Sequence, residues 1–197
     1  MSSRIVPFIT TWSGEQSPLS QVVDRRGLGI GFADETILDR DEHGVLWRRM
    51  PSRPGNGRPL FGKVHPLRQR RAMRKLLCQV CAGPADTTEL GTLWLVRDYA
   101  GDWPGWPEHM AATEPPVCLP CARDSIRICP ALRNAYVAMR VGRSTISGVY
   151  GIHYRPGPAF PESVEDRILR FGDPAIRWTC AGQLVRELLD CTIVSLS

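Results

Sequence analysis

The stretch that decides the fold runs from Leu77-Cys78-Gln79-Val80-Cys81-Ala82-Gly83-Pro84 to Val117-Cys118-Leu119-Pro120-Cys121-Ala122. It holds two C-x2-C pairs separated by 36 residues. Two residues between cysteines make a tight knuckle whose sulfurs can share one ion, and four thiolates suit tetrahedral zinc. Cys78, Cys81, Cys118 and Cys121 are therefore expected to bind one zinc ion. A four-thiolate set leaves no open position for a substrate water, so the expected role of the metal is structural, worth on the order of 10 kcal/mol of folding free energy. A single C-x2-C could serve as a redox dithiol, but two pairs in one chain favour metal. His109 is a less favoured substitute ligand. Cys129, Cys180 and Cys191 have no partner at ligand spacing and are expected as buried small apolar groups.

Charge changes sign around the first knuckle. From Gly44 to Pro84 there are ten basic residues and no acid; residues 82–117 hold six acids against Arg97 alone. Arg68, Arg70, Arg71, Arg74 and Lys75 stand just before Cys78. On a helix, Arg70, Arg71, Arg74 and Lys75 gather at i, i+3 and i+4 spacing, suited to a phosphate backbone, so nucleic acid is the leading expected partner. The competing reading is a solvated face, or one neutralised by the adjacent acidic insert. That insert carries Asp102-Trp103-Pro104-Gly105-Trp106-Pro107, whose Trp103 and Trp106 offer a protein-binding or base-stacking surface or, the favoured reading, fold back to plug the domain's own core. The bias of 23 arginines to two lysines reads as the mark of a GC-rich genome and carries no argument of its own.

Elsewhere the pattern is one of short elements. Ile5–Ile9 and Leu28–Phe32 read as strands, Asp41–Gly44 as a turn into Val45–Trp47, and Pro51–Gly62 as a loop. Pro66 opens a helix through Leu77, Thr92–Val96 reads as a hairpin strand, and Pro120 opens a helix that Pro130 must end. A helix is expected over Ala131–Val141, a strand over Gly148–Tyr154, and a last helix over Thr179–Asp190. In that last helix Ala181, Leu184, Val185 and Leu188 would share a face. The expected architecture is α+β: a β-rich region with a Pro/Gly/Arg linker over 1–64, a zinc-binding module over 65–145, and a C-terminal αβ unit over 146–197 packed on the module.

A knuckle, a hairpin around Leu93–Arg97 and a second cysteine pair opening a helix follow the layout of a treble-clef zinc module. Over roughly residues 66–128 that layout resembles the scaffold of HNH endonucleases. The family's histidine base has no match, since Val96-Arg97-Asp98-Tyr99 places tyrosine there. Its later Asn and His are likewise unmatched in Ala122-Arg123-Asp124. No catalytic residue is assigned, and a degenerate nuclease scaffold is the third reading, after a nucleic-acid binder and a protein-interaction adaptor. The doubled C-x2-C, the Trp-Pro loop and the tail AIRWTCAGQLVRELLDCTIV also make most of residues 65–197 resemble double-CxxC zinc proteins of actinomycetes, the Streptomyces type. That resemblance implies a zinc-binding bacterial protein and brings no activity with it. No apolar run approaches the ~18 residues of a membrane span, and the N-terminal patch is too short for a signal peptide, so a cytoplasmic location is expected. No small-molecule substrate is inferred.

Overall fold

A computed structural model of the chain describes residues 5–16, 20–132 and 136–196. In chain order the elements are β1 (Thr10–Trp12), β2 (Val22–Asp24), β3 (Ile30–Phe32), β4 (Leu46–Trp47), β5 (Pro59–Val64), α1 (Pro66–Lys75), β6 (Thr87–Thr88), β7 (Gly91–Arg97), β8 (Met110–Ala112), α2 (Leu119–Ile128), β9 (Tyr136–Arg155), β10 (Glu162–Arg170) and β11 (Thr179–Val194). The class is mixed α+β, dominated by strands. The chain divides into two compact units, one of Met1–Ile9, Arg68–Ile146 and Arg186–Ser197, the other of Thr10–Leu67 and Ser147–Val185. The long strands β9 and β11 each contribute one end to each unit.

In the first unit β7 pairs with β6 in a hairpin and, on its other edge, antiparallel with the start of β9, from Thr92↔Val141 to Arg97↔Tyr136. β8 pairs with β11 at Arg186–Leu188. Because strand side chains alternate, β7 faces two cores. Trp94 and Val96 pack with Met110, Met139, Val141 and Leu188 on one side. Leu93 and Leu95 pack with Cys78, Val117, Ala122 and Ala138 on the other. Every one of these side chains is at most 4% exposed. A strand covered on both faces reads as an unbroken apolar run, as GTLWLV does.

The second unit is held by smaller pieces. β1 pairs with β5, β2 with β3, β4 with β11, and β10 with the end of β9. Ile30, Phe32, Leu46 and Cys180 form one core cluster within it, with Val22, Tyr154 and Trp178 against it. Ion pairs reinforce it: Arg49 reaches Asp39 at 2.6 Å and Asp34 at 2.8 Å and lies over the Phe32 ring, while Arg40 pairs with Glu35 at 2.7 Å.

Four expectations fail, one of them in part: Pro51–Gly62 is a loop only as far as Arg58, because β5 begins at Pro59. Thr179–Asp190 is strand β11, not a helix, and among the described residues 146–197 hold strands and one 3-10 turn, not an αβ unit. Ala181, Leu184, Val185 and Leu188 are all buried, but because β11 is covered on both faces through its middle, so its apolar run imitates a helical stripe. Ala131–Val141 is not a helix either: a 3-10 turn ends at Leu132, Tyr136 begins β9, and 133–135 lie outside the described residues. Ile5–Ile9 forms no strand; Phe8 and Ile9 instead donate main-chain hydrogen bonds to Val80 and Gln79 of the first knuckle. The helices opened by Pro66 and Pro120, the strand over Thr92–Val96 and the strand over Gly148–Tyr154 are all present.

Candidate metal centre

Helix α1 delivers the first cysteine pair. Its C-terminus closes with Leu76 at φ 49° and the Leu77 N–H donating to the Ala72 carbonyl at 2.9 Å, the six-to-one bond of a Schellman turn. The chain then enters the knuckle. Ala82 donates to the Cys78 carbonyl at 2.9 Å, Cys78 donates to the Gly83 carbonyl at 2.7 Å, and Ala82 sits at φ 62°. The Val80 N–H points at Cys78 Sγ from 3.4 Å, so a main-chain donor lies against that sulfur.

The second pair is built on a helix start. Cys118 is the N-cap of α2, its carbonyl accepting the Ala122 N–H at 2.9 Å, and Pro120 stands where the missing N–H costs nothing. Cys121 lies in the first turn. Exposed N–H groups at a helix start favour thiolates, which suits both positions. Main-chain bonds fix one pair against the other: Gln79 donates to the Pro116 carbonyl at 2.9 Å, Asp86 to Val117 at 3.1 Å, and Val117 to Leu93 at 2.9 Å.

The four sulfurs consequently lie within 4.8 Å of one another, Cys81 and Cys118 at 3.8 Å, and together could hold a metal ion. Cys78 is buried on the Leu93–Leu95 core, with Cys118 and Cys121 partly buried beside it and Cys81 exposed. Burial, then the neighbouring Cys118, Cys78 and Cys81 sulfurs, drive the Cys121 thiol far above its ordinary range. Burial also raises Cys118, more than the Cys121 N–H and thiol lower it. Burial acts to raise Cys81 too, but the Gly83 N–H and the three other cysteines outweigh it and leave that thiol below its usual value.

The remaining candidates fall elsewhere. On α1, Arg71, Arg74 and Lys75 are exposed, Arg70 is half-buried, and Arg68 is buried at 4% exposure. Trp103 and Trp106 lie partly buried against the Trp94–Met139 core, and Trp103 Nε1 donates to the Glu108 carbonyl at 3.2 Å. His109 stands outside the cysteine cluster with Nδ1 3.0 Å from Glu187 Oε1. Within the acidic insert, Asp86 pairs with Arg140 at 2.5 Å, and the Glu108 carboxylate accepts the Asp190 and Cys191 N–H groups at 3.0 and 2.6 Å. Cys180 is buried, and Cys129 and Cys191 half-buried, all free thiols. Burial pushes Cys180 up to about 11; burial and the Glu108 carboxylate push Cys191 up to about 12.

Sequence reasoning missed the support that Phe8 and Ile9 give the knuckle. Their spacing carries no sign of it, because the hydrogen bonds use only main-chain atoms. No helix of the described residues is long and apolar enough to cross a membrane. No protein-family model, curated protein or solved structure matches this chain.

Proposed function

We propose that this chain is a non-catalytic zinc protein that binds nucleic acid through the exposed face of α1. For the metal, the support is the donor set. Four cysteine sulfurs with no carboxylate or histidine among them suit zinc, and bonds of ~2.3 Å would set tetrahedral edges of about 3.8 Å, the present Cys81–Cys118 separation. A knuckle, the β6–β7 hairpin and a cysteine pair opening α2 follow the treble-clef order.

For the ligand, the carrying observation is the face of α1. Arg71, Arg74 and Lys75 stand at i, i+3 and i+4, all exposed, while Ala72 and Met73 are fully buried on the opposite side. Three cations on one turn are the side chains that make backbone-positioning contacts to phosphate oxygens. The Schellman turn and the first cysteine of the knuckle follow within seven residues of Arg71, so metal binding and the rigidity of this face are linked.

Fluorescence anisotropy with labelled duplex DNA, single-stranded DNA and RNA over a salt series tests the reading. Affinity should fall log-linearly with salt. Replacing Arg71, Arg74 and Lys75 by glutamate together should reduce the slope by roughly 2–3, because each cation that no longer meets a phosphate releases about one counterion fewer. Absence of binding at low salt by the zinc-loaded protein, or an unchanged slope in the triple variant, would remove α1 as the binding face.

A further inference from the structure

The β1–β5 pair carries an insertion that its own hydrogen bonding does not need. Thr10 stands opposite Val64 and Thr11 opposite Leu60, so one step along β1 matches four along β5, and Phe61, Gly62 and Lys63 have no partner in the ladder. A bulge gives up pairing and re-aims side chains. Gly62 turns it at φ 87°, and a Cβ placed there would meet nothing within 4 Å, so the bulge stands out into open space. Phe61 and Lys63 flank that glycine and are both exposed, Phe61 at 52%, whereas Leu60 and Val64 at the ends of the bulge are partly buried.

The loop that leads into β5 is tied down. Gly14 donates to the Asn56 carbonyl at 3.0 Å, Ser13 to the Arg58 carbonyl at 2.9 Å, and the Arg58 N–H returns to Ser13 Oγ at 3.0 Å. Gly57, at φ 84°, passes so close that a Cβ would lie 2.2 Å from that same oxygen. The main chain of Arg58 is thus fixed just ahead of the bulge. Arg53, Arg58 and Lys63 are exposed, and none makes an ion pair among the described residues. Glu15 is the only acid of residues 5–16, and it is fully buried, its carboxylate accepting the Trp12 and Arg53 N–H groups at 2.8 and 2.6 Å. No acid lies between Gly44 and Pro84. The exposed charge that these two segments carry is therefore all positive.

A lone exposed apolar side chain is ordinary on a protein surface. An aromatic ring lifted out of a ladder among cations is a different arrangement, because it offers a π face together with charge for phosphate. Stacking on such a ring accepts any base but requires one that is unpaired, since the bases of a duplex are already stacked on one another. We infer that Phe61 is a base-stacking platform for single-stranded nucleic acid, with Arg58 and Lys63 on the adjoining phosphates. The inference rests on the nucleic-acid reading of this chain and adds the strandedness of the ligand. It does not depend on the cations of α1, which serve as a separate set of phosphate contacts.

Anisotropy of the zinc-loaded full chain with labelled oligothymidylate, an abasic strand of the same length and a duplex tests it. Wild type should prefer oligothymidylate to the abasic strand by about five- to a hundredfold, the range for one stacked base. F61A and F61L should lose that preference and F61W should keep it, since leucine supplies bulk without a π face. None of the three should alter duplex affinity. K63E should lower the salt slope on single strands by roughly 0.7 or more, for one phosphate contact, and leave the preference for bases in place. A wild type without the preference, or F61A or F61L variants that retain it, would overturn the assignment. The R71E/R74E/K75E variant separates the two readings. If it keeps the preference with an unchanged slope, the platform stands and α1 falls; if its slope drops while the wild type shows no preference, α1 stands and the platform falls. A protein that binds no probe at low salt removes both.

Discussion

At the residue scale, the knuckle turns on Ala82. Its φ of 62° lies in the left-handed region, where an L side chain costs roughly 1–2 kcal/mol and glycine costs little. The A82G variant should therefore leave the cysteine geometry intact and raise stability by up to about 1 kcal/mol in urea unfolding of the zinc-loaded protein. A loss of stability would show that the methyl group packs, not merely that it is tolerated. Asp39 gives the residue scale its pH dependence. Hydrogen bonding from Arg49, assisted by Thr36 and opposed by burial, holds its carboxyl well below the usual carboxylate range. A folded pKa depressed below the unfolded value of about 3.9 contributes stability that is complete above that value and drains away as pH falls below it. D39N should lower stability at neutral pH by about 1.5–3 kcal/mol, as a charge-assisted bond is lost, and should flatten the decline between about pH 4 and lower values. Parallel acid titrations of both proteins by circular dichroism measure the difference.

The elements show where sequence patterns carry information and where they fail. Helices α1 and α2 were legible because proline fixes their starts and cysteine spacing fixes what adjoins them. The four-cysteine cluster was legible for the same reason, since C-x2-C spacing dictates local geometry before any tertiary contact forms. Strand β11 was not legible. Ala181, Leu184, Val185 and Leu188 fit a helical stripe, and only the cover on both faces makes that spacing compatible with a strand. Periodicity identifies an element with one buried face and loses its meaning when both are buried. Arg186 lies in the middle of that buried run at 7% exposure. Its Nε donates to the Met73 carbonyl at 3.0 Å and its Nη1 to the Ser144 carbonyl at 2.7 Å, so β11 clasps both the last turn of α1 and the middle of β9. Removing it leaves two carbonyls without those donors. R186A should cost about 2–4 kcal/mol, two such losses together, and should loosen α1 first. Hydrogen exchange that stays uniform along α1 in the variant would count against that role.

On the scale of the whole molecule, the two units rest on different physics. The first has two well-filled cores about β7 and a sulfur cluster at its edge. The second buries the Ile30–Cys180 cluster together with Val45, Val149, Ala181, Leu184 and Val185, and carries ion pairs around Arg49 and Arg40. Chelation should therefore act selectively. A strong zinc chelator should lower the protection of residues around Cys78–Gly83 and the start of α2, while leaving the amides of β2 and β3 as they were. Exchange that rises equally in both units would mean that the metal supports the chain as a whole.

The zinc ion proposed for Cys78, Cys81, Cys118 and Cys121 would underlie both the local fold and the rigidity of the α1 face, and metal content decides it. Protein purified without added metal, analysed by plasma mass spectrometry against its thiol concentration, should carry one zinc per chain. The C78S/C121S variant should carry none. A wild-type chain without zinc, or a variant that retains it, would contradict the assignment.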